Sequence, residues 1–162
     1  MQRPESSPMR NDAADIAEPT LDLAHFVPYR LSILSNRVSS AIARAYSDRF
    51  DLTIPEWRVM AILGGAAGLS ASEVAQRTAM DKVQVSRAIA RLVDSKRVQR
   101  VVDASDGRVA RLSLTAKGRA IYDDVAPLAL ELEAKLLEAL SPAERTSLDK
   151  IMAKLNAQAG HL

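Results

Sequence analysis

From Asp81 onward the apolar residues Val85, Ala88, Ile89 and Leu92 recur at spacings of three and four, which puts them on one stripe of a helix. Val83, Gln84, Ser86, Arg87, Ala90 and Arg91 must then point the other way. The polar members of that outward set are mostly hydrogen-bond donors, and they match the edges of nucleic acid. An Arg fork fits the acceptor edge of guanine, a Gln amide fits adenine, and Ser or Lys can hold phosphate oxygens. Gln84, Ser86, Arg87 and Arg91 are therefore candidates for a DNA major groove, with Lys82 beside them. For Arg91 the alternative is a surface charge paired with Asp94, three residues on.

Catalytic chemistry is not suggested. The chain has no Cys, and its two His residues, His25 and His161, have no metal-ligand spacing. There is no Gly-rich phosphate loop and no carboxylate pair in a catalytic context. No catalytic residue, metal ligand or cofactor is assigned, and an enzyme is not expected. The lack of Cys excludes a disulfide framework, a thiolate zinc site and a signal carried by thiol oxidation, and it fits a reducing cytoplasm.

The elements that must position the outward face can be read from their punctuation. Leu69 to Arg77 predicts a short helix with a capping box, Ser70 with Glu73, and a hydrophobic staple between Leu69 and Val74. Asp81 caps the helix that follows. After it come two strand-like runs, Val98–Val102 and Val109–Leu114, flanking the turn-rich tip Asp103-Ala-Ser-Asp-Gly-Arg108. Helix, turn, helix and a β wing in that order predict a winged helix-turn-helix over 51–114. Ahead of it, 21–50 reads as a long amphipathic helix, with Leu23, Phe26, Leu34, Val38, Ile42 and Ala45 on one stripe that Arg30 interrupts. A second helix starts with a capping box at Thr53 and Glu56 and ends near Gly65. Beyond the wing, Thr115 caps a long helix to about Leu140, with Pro127 inside it, and Ser141-Pro-Ala-Glu144 opens a last helix carrying Leu148, Ile151, Met152 and Leu155. The predicted class is mainly α with a small β wing.

Charge is distributed to match. Between Gln76 and Arg119 eleven Lys and Arg face four acids, a net of +7 inside a chain of net +2. A basic module in an acidic body suits a binder of phosphate backbone. No apolar run is long enough to span a bilayer, since Val125 to Leu140 is broken by Glu131, Glu133, Lys135 and Glu138. No membrane partner is expected. Residues 1–20, with Pro4, Pro8 and Pro19 among polar side chains, lack the apolar centre of a signal peptide and are predicted to be a disordered arm. The long helices at 21–50 and 115–160 carry more apolar surface than the central module can cover. That points to a partner, most simply a second copy of the chain in a two-fold dimer; the alternative is that the helices pack on one another within one chain.

This order of elements, with Asp106 and Arg108 in the tip and Leu114-Thr-Ala-Lys-Gly118 opening the next helix, closely resembles the MarR family, over Leu21 to about Ala157. The resemblance implies a cytoplasmic homodimeric transcriptional regulator, usually a repressor, that binds a double-stranded DNA operator and releases it when a small molecule binds. It further implies that Arg108 enters the minor groove from the wing, with Asp106 holding its guanidinium. Narrow minor grooves do attract Arg, and a carboxylate can fix its planar fork. Arg111 belongs to the same basic face. The competing reading is a winged-helix module that binds protein without specific DNA binding; its basic face would then need another explanation.

Tyr29 to Arg37 together with Thr53 to Trp57 is similar to the part of the family that answers to hydroxycinnamates or their coenzyme A thioesters. The implied effector is a phenolic acid or its CoA thioester. Arg30, Ser35, Asn36, Arg37 and Trp57 are the candidate ligand residues, with Arg30 pairing the acid, Ser35 and Asn36 bonding a phenol or thioester, and Arg37 and Arg44 near CoA phosphates. A charge on an apolar stripe calls for a partner, and for Arg30 an internal salt bridge to Glu56 or Asp22 is the alternative. Trp57 could equally be core.

Overall fold

A computed structural model describes residues 20–78, 80–102 and 110–161. It runs α1 (Val27–Phe50), α2 (Ile54–Gly65), α3 (Ala71–Thr78), α4 (Lys82–Asp94), β1 (Val98–Val102), β2 (Ala110–Leu114), α5 (Ala116–Leu137) and α6 (Pro142–Ala159). The chain divides into two compact units, 1–34 and 35–162.

In the described part of the first unit the helix begins at Val27, six residues later than the apolar stripe predicts. Asp22 is the cause. Its Oδ1 accepts the backbone N–H of Ala24 at 3.0 Å, its Oδ2 lies 2.6 Å from His25 Nδ1, and its carbonyl accepts the His25 N–H. Local bonds of this kind give the backbone an alternative to a helix. Pro28 then fits the first turn, where no intrahelical N–H is needed.

In the second unit α2 is the central helix, packed on α3, α4, α5 and β2. Its Val59, Met60 and Leu63 are fully buried, beside Tyr46 of α1, Val74 of α3, Val85, Ile89 and Leu92 of α4, and Val125 of α5. Thr53 and Glu56 form the expected capping box. β1 and β2 pair antiparallel with Val98 opposite Leu114 and Val102 opposite Ala110. Leu69 adds a single bridge to Leu112, so the residue expected to act only as a staple also extends the sheet. Gly68, at φ +76, makes the turn into that bridge.

β1 is anchored from below. The Arg97 guanidinium donates to the carbonyls of Phe50 and Asp51, at the C-terminal end of α1 where the helix leaves acceptors unmet. The Arg97 carbonyl accepts from Thr115 N–H at 3.0 Å, and Thr115 Oγ1 caps α5 through Gly118 N–H at 3.1 Å. The chain passes so closely here that a Cβ on Gly118 would stand 2.0 Å from the Arg97 carbonyl oxygen. α6, opened by the capping box of Ser141 and Glu144, buries no side chain, and Leu148, Ile151, Met152 and Leu155 are exposed. No helix among the described residues is long and apolar enough to cross a membrane.

Two outcomes are expected. Gly118→Ala is expected to lower stability by about 1–3 kcal/mol through the clash with the Arg97 backbone just ahead of β1, against alanine's usual advantage of about 1 kcal/mol in a helix; urea unfolding that finds a gain would show that the contact is absent. Tyr46 is buried and its hydroxyl has no hydrogen-bond partner among the described residues, and burial pushes the phenol up to about 12. The raised value favours the neutral phenol in the folded chain. Its contribution to stability is therefore whole below the unfolded value of about 10 and is lost as pH rises toward the folded one. Tyr46→Phe is expected to flatten that alkaline loss and, by removing an unpaired hydroxyl, to stabilise the chain by about 1 kcal/mol at neutral pH. Urea midpoints measured from pH 7 upward that fall in parallel for both proteins would contradict it.

Candidate nucleic-acid interface

α3 and α4 are set by caps that the sequence announces. Ser70 N–H donates to Glu73 Oε2 at 2.8 Å and Glu73 N–H to Ser70 Oγ at 3.2 Å, which starts α3. Hydrogen bonding to the carboxylate from the Ser70 backbone N–H, and next from the Ser70 hydroxyl, holds the Glu73 carboxyl below its ordinary range. Asp81 Oδ1 accepts Gln84 N–H at 2.8 Å and starts α4. Val85, Ala88, Ile89 and Leu92 are buried, while Lys82, Val83, Gln84, Ser86, Arg87, Ala90 and Arg91 are exposed. The structure thus brings Lys82, Gln84, Ser86, Arg87 and Arg91 to one open face of one helix.

Two basic residues of the predicted set have carboxylate partners. Arg91 is not paired with Asp94. Its Nε stands 3.3 Å from Oε1 of Glu56, a buried carboxylate on α2, while the Arg91 side chain remains 67% exposed. Arg111 Nη1 lies 3.2 Å from Glu73 Oε2 and 3.4 Å from the Gly68 carbonyl, tying β2 to the start of α3. Lys117 Nζ donates to the carbonyl of Ser95, just past the end of α4. Asp106 and Arg108 lie outside the described residues.

Of the predicted ligand residues, Trp57 is in the lining of a cleft of the second unit. Ser35, Asn36 and Arg37 are exposed on α1. Arg30, exposed in the first unit, makes no ion pair among the described residues. Of the two carboxylates considered for it, Asp22 is engaged by His25 and Glu56 by Arg91 and Thr53. Trp57 is half-buried between Tyr46, at 5.6 Å between ring centroids, and Tyr122, stacked at 6.0 Å. It lines a cleft of about 420 Å³ with Val38, Ile42, Ala61, Tyr122, Ala126, Ala129, Leu130, Glu133 and Leu136. Trp57 packs against the core and also walls the cleft. Sequence reasoning missed Tyr122 and Glu133, the latter the one charged group in the lining; only their spacing on the α5 stripe could have suggested them.

The cleft is an apolar slot with aromatic walls, suited to a flat ring. The open face of α4 is suited to a polyanion. Because α4 presents its N-terminal half outward, its cap governs the face: Asp81→Ala is expected to cost about 1 kcal/mol of stability, whereas Asp81→Asn, which keeps the acceptor, costs little. Equal urea midpoints for the two variants would show that the cap does not hold α4.

Comparison with known proteins agrees with this geometry. Residues 50–109 match the family model described as MarR family. The chain is 26% identical over 133 residues to the HTH-type transcriptional repressor Rv2887 of Mycobacterium tuberculosis, covering 82% of this chain and 92% of that one. A MarR/EmrR family transcriptional regulator from Acinetobacter sp. ADP1 shares the fold at a TM-score of 0.81 and 25% identity, over 88% of this chain and 100% of that one. BpsR of Bordetella bronchiseptica, whose DNA binding is regulated by 6-hydroxynicotinic acid, shares it at 0.74 and 25%, over 85% and 98%. These relatives are transcriptional regulators, not enzymes. Over residues 50–109 the chain is thus similar to the MarR family, and its winged-helix fold is that of solved MarR-family transcriptional regulators.

Proposed function

We propose that the protein is a homodimeric, cytoplasmic repressor that binds a pseudo-palindromic operator and leaves it when a small aromatic acid, or its CoA thioester, binds. The observation that carries the DNA-binding half is the open face of α4, where Lys82, Gln84, Ser86, Arg87 and Arg91 stand opposite four buried apolar residues. In this reading 51–114 is the DNA-binding domain and 21–50 with 115–160 supply the dimer helices. The exposed Leu148, Ile151, Met152 and Leu155 of α6 support the second copy, since an uncovered apolar stripe of that length marks an association surface. Two-fold symmetry would set the two α4 helices in major grooves about 34–36 Å apart. Asp106 and Arg108 are assigned to the minor groove, and Lys82 and Arg111 to the phosphates that flank the reading face.

Support for an aromatic acid comes from three sides. Arg30 has neither of its candidate internal carboxylates to itself. The cleft offers the stacked rings of Trp57 and Tyr122. BpsR, similar over most of this chain, is regulated by an aromatic acid. Glu133 in the lining constrains the pose: a carboxylate would turn away from it and a phenol or ring N–H would turn toward it. Arg30, Ser35, Asn36 and Arg37 are the proposed acid-binding and polar contacts, and Trp57 the stacking surface.

The test is fluorescence anisotropy on duplexes from the region upstream of the protein's own gene, at two salt concentrations, with p-coumaroyl-CoA, feruloyl-CoA and the free acids. Saturable binding that weakens steeply with salt is expected, because several phosphates are neutralised. Arg87→Ala is expected to cost about 1–3 kcal/mol of operator affinity. Arg108→Ala is expected to weaken binding and relax preference at A·T-rich flanks with the dimer intact. Arg30→Ala is expected to keep DNA binding and lose release. A flat salt dependence would favour a protein-binding winged helix, and an Arg30→Ala variant that still releases DNA would remove Arg30 from the effector site.

A further inference from the structure

Glu56 is sealed from water, its side chain 5% exposed, and its two oxygens serve different elements. Oε2 accepts from Thr53 N–H at 2.8 Å and from the Thr53 hydroxyl at 2.9 Å, closing the first turn of α2. Oε1 takes Arg91 Nε at 3.3 Å, on the outward side of α4. A buried carboxylate is stable only while its partners stay, since losing one strands charge where water does not reach. Arg91 is therefore tied to the first turn of α2. The next residue in that turn is Trp57, which stacks on Tyr122 and walls the cleft. One helical turn thus touches the cleft with one side chain and the DNA-facing helix with its neighbour.

We propose that Glu56 is a positioning residue that couples occupancy of the cleft to the placement of Arg91 on the DNA-facing side of α4. The inference rests on the reading of α4 as the operator-binding face and of the cleft as the effector site. A ring wedged against Trp57 displaces the first turn of α2. Glu56 cannot stay behind without giving up its bonds to Thr53, so it moves with the turn and draws the Arg91 guanidinium with it. An Arg that contacts DNA tolerates little displacement, because its hydrogen bonds are short and directional. Linkage is reciprocal: if the cleft biases Arg91, then DNA that holds Arg91 must change the surroundings of Trp57.

That reciprocity gives a test that needs no effector, because Trp57 is the chain's one tryptophan. Trp57 emission is recorded while the full chain is titrated with labelled operator duplex, whose binding is followed in parallel by anisotropy. Saturating duplex is expected to change Trp57 emission in the native chain. At saturating duplex the change is expected to vanish in Arg91→Ala and to fall by half or more in Glu56→Gln, which keeps an acceptor for the α2 cap but not the charge. The double variant is expected to match Arg91→Ala. If Arg91→Ala fails to fold, the double variant has no carboxylate left to strand and carries the same expectation. An undiminished response in these variants, or a native chain that binds duplex with unchanged emission, overturns the coupling and leaves the regulator reading standing. A native chain that binds no duplex overturns both.

Discussion

The burial of one stripe of α4 orders the open polar face on its other side. Val85, Ile89 and Leu92 each gain about 1.5–3 kcal/mol by leaving water, and with Ala88 they lie on the same side. The Asp81 cap supplies about 1 kcal/mol, so packing decides which way α4 is turned and the cap decides where it starts. Once that stripe is fixed against α2 and α3, the polar residues have no freedom over where they point. The open face of Lys82, Gln84, Ser86 and Arg87 is a consequence of the core behind it.

α2 plays the central part because it packs on α3, α4, α5 and β2. Its apolar residues point several ways, and its first turn is unusually well secured by Thr53, Glu56 and Arg91. The other ion pairs of the second unit among the described residues, Arg49 with Asp124 and Arg111 with Glu73, are about half exposed, where solvent screening leaves little net stabilisation. The Glu56–Arg91 contact differs because one partner is buried, so breaking it strands a charge. A regulator needs a body rigid enough to present its reading face and one joint that a small molecule can move. The aromatic stack of Tyr46, Trp57 and Tyr122 beside that turn puts a receptive surface next to such a joint.

Much of the fold is legible in the sequence because its signals are local. A capping box spans four residues and an amphipathic stripe repeats every three or four, so α2, α3, α4 and the β wing follow from short windows. The start of α1 does not, because the Asp22 turn competes with a helix on nearly equal terms and the apolar stripe extends through it. Long-range pairings were hidden as well. Arg91 had a carboxylate three residues away at Asp94, yet it pairs with Glu56 thirty-five positions earlier, where packing of α2 on α4 supplies a buried acceptor. The cleft was half visible: Trp57 declares itself by type, but Tyr122 and Glu133 join it only through the contact of α5 with α2.

In the proposed function the outward face of α4 enters the major groove twice, once from each of two copies. Methylation of a saturated operator by dimethyl sulfate reads this directly, because guanine N7 lies in the major groove and adenine N3 in the minor. Two patches of guanine N7 protection are expected, centred about 10–10.5 base pairs apart, the separation of one helical turn, with adenine N3 protected at the flanks where the wings reach. Guanine N7 that stays reactive throughout a duplex shown to be bound would contradict it.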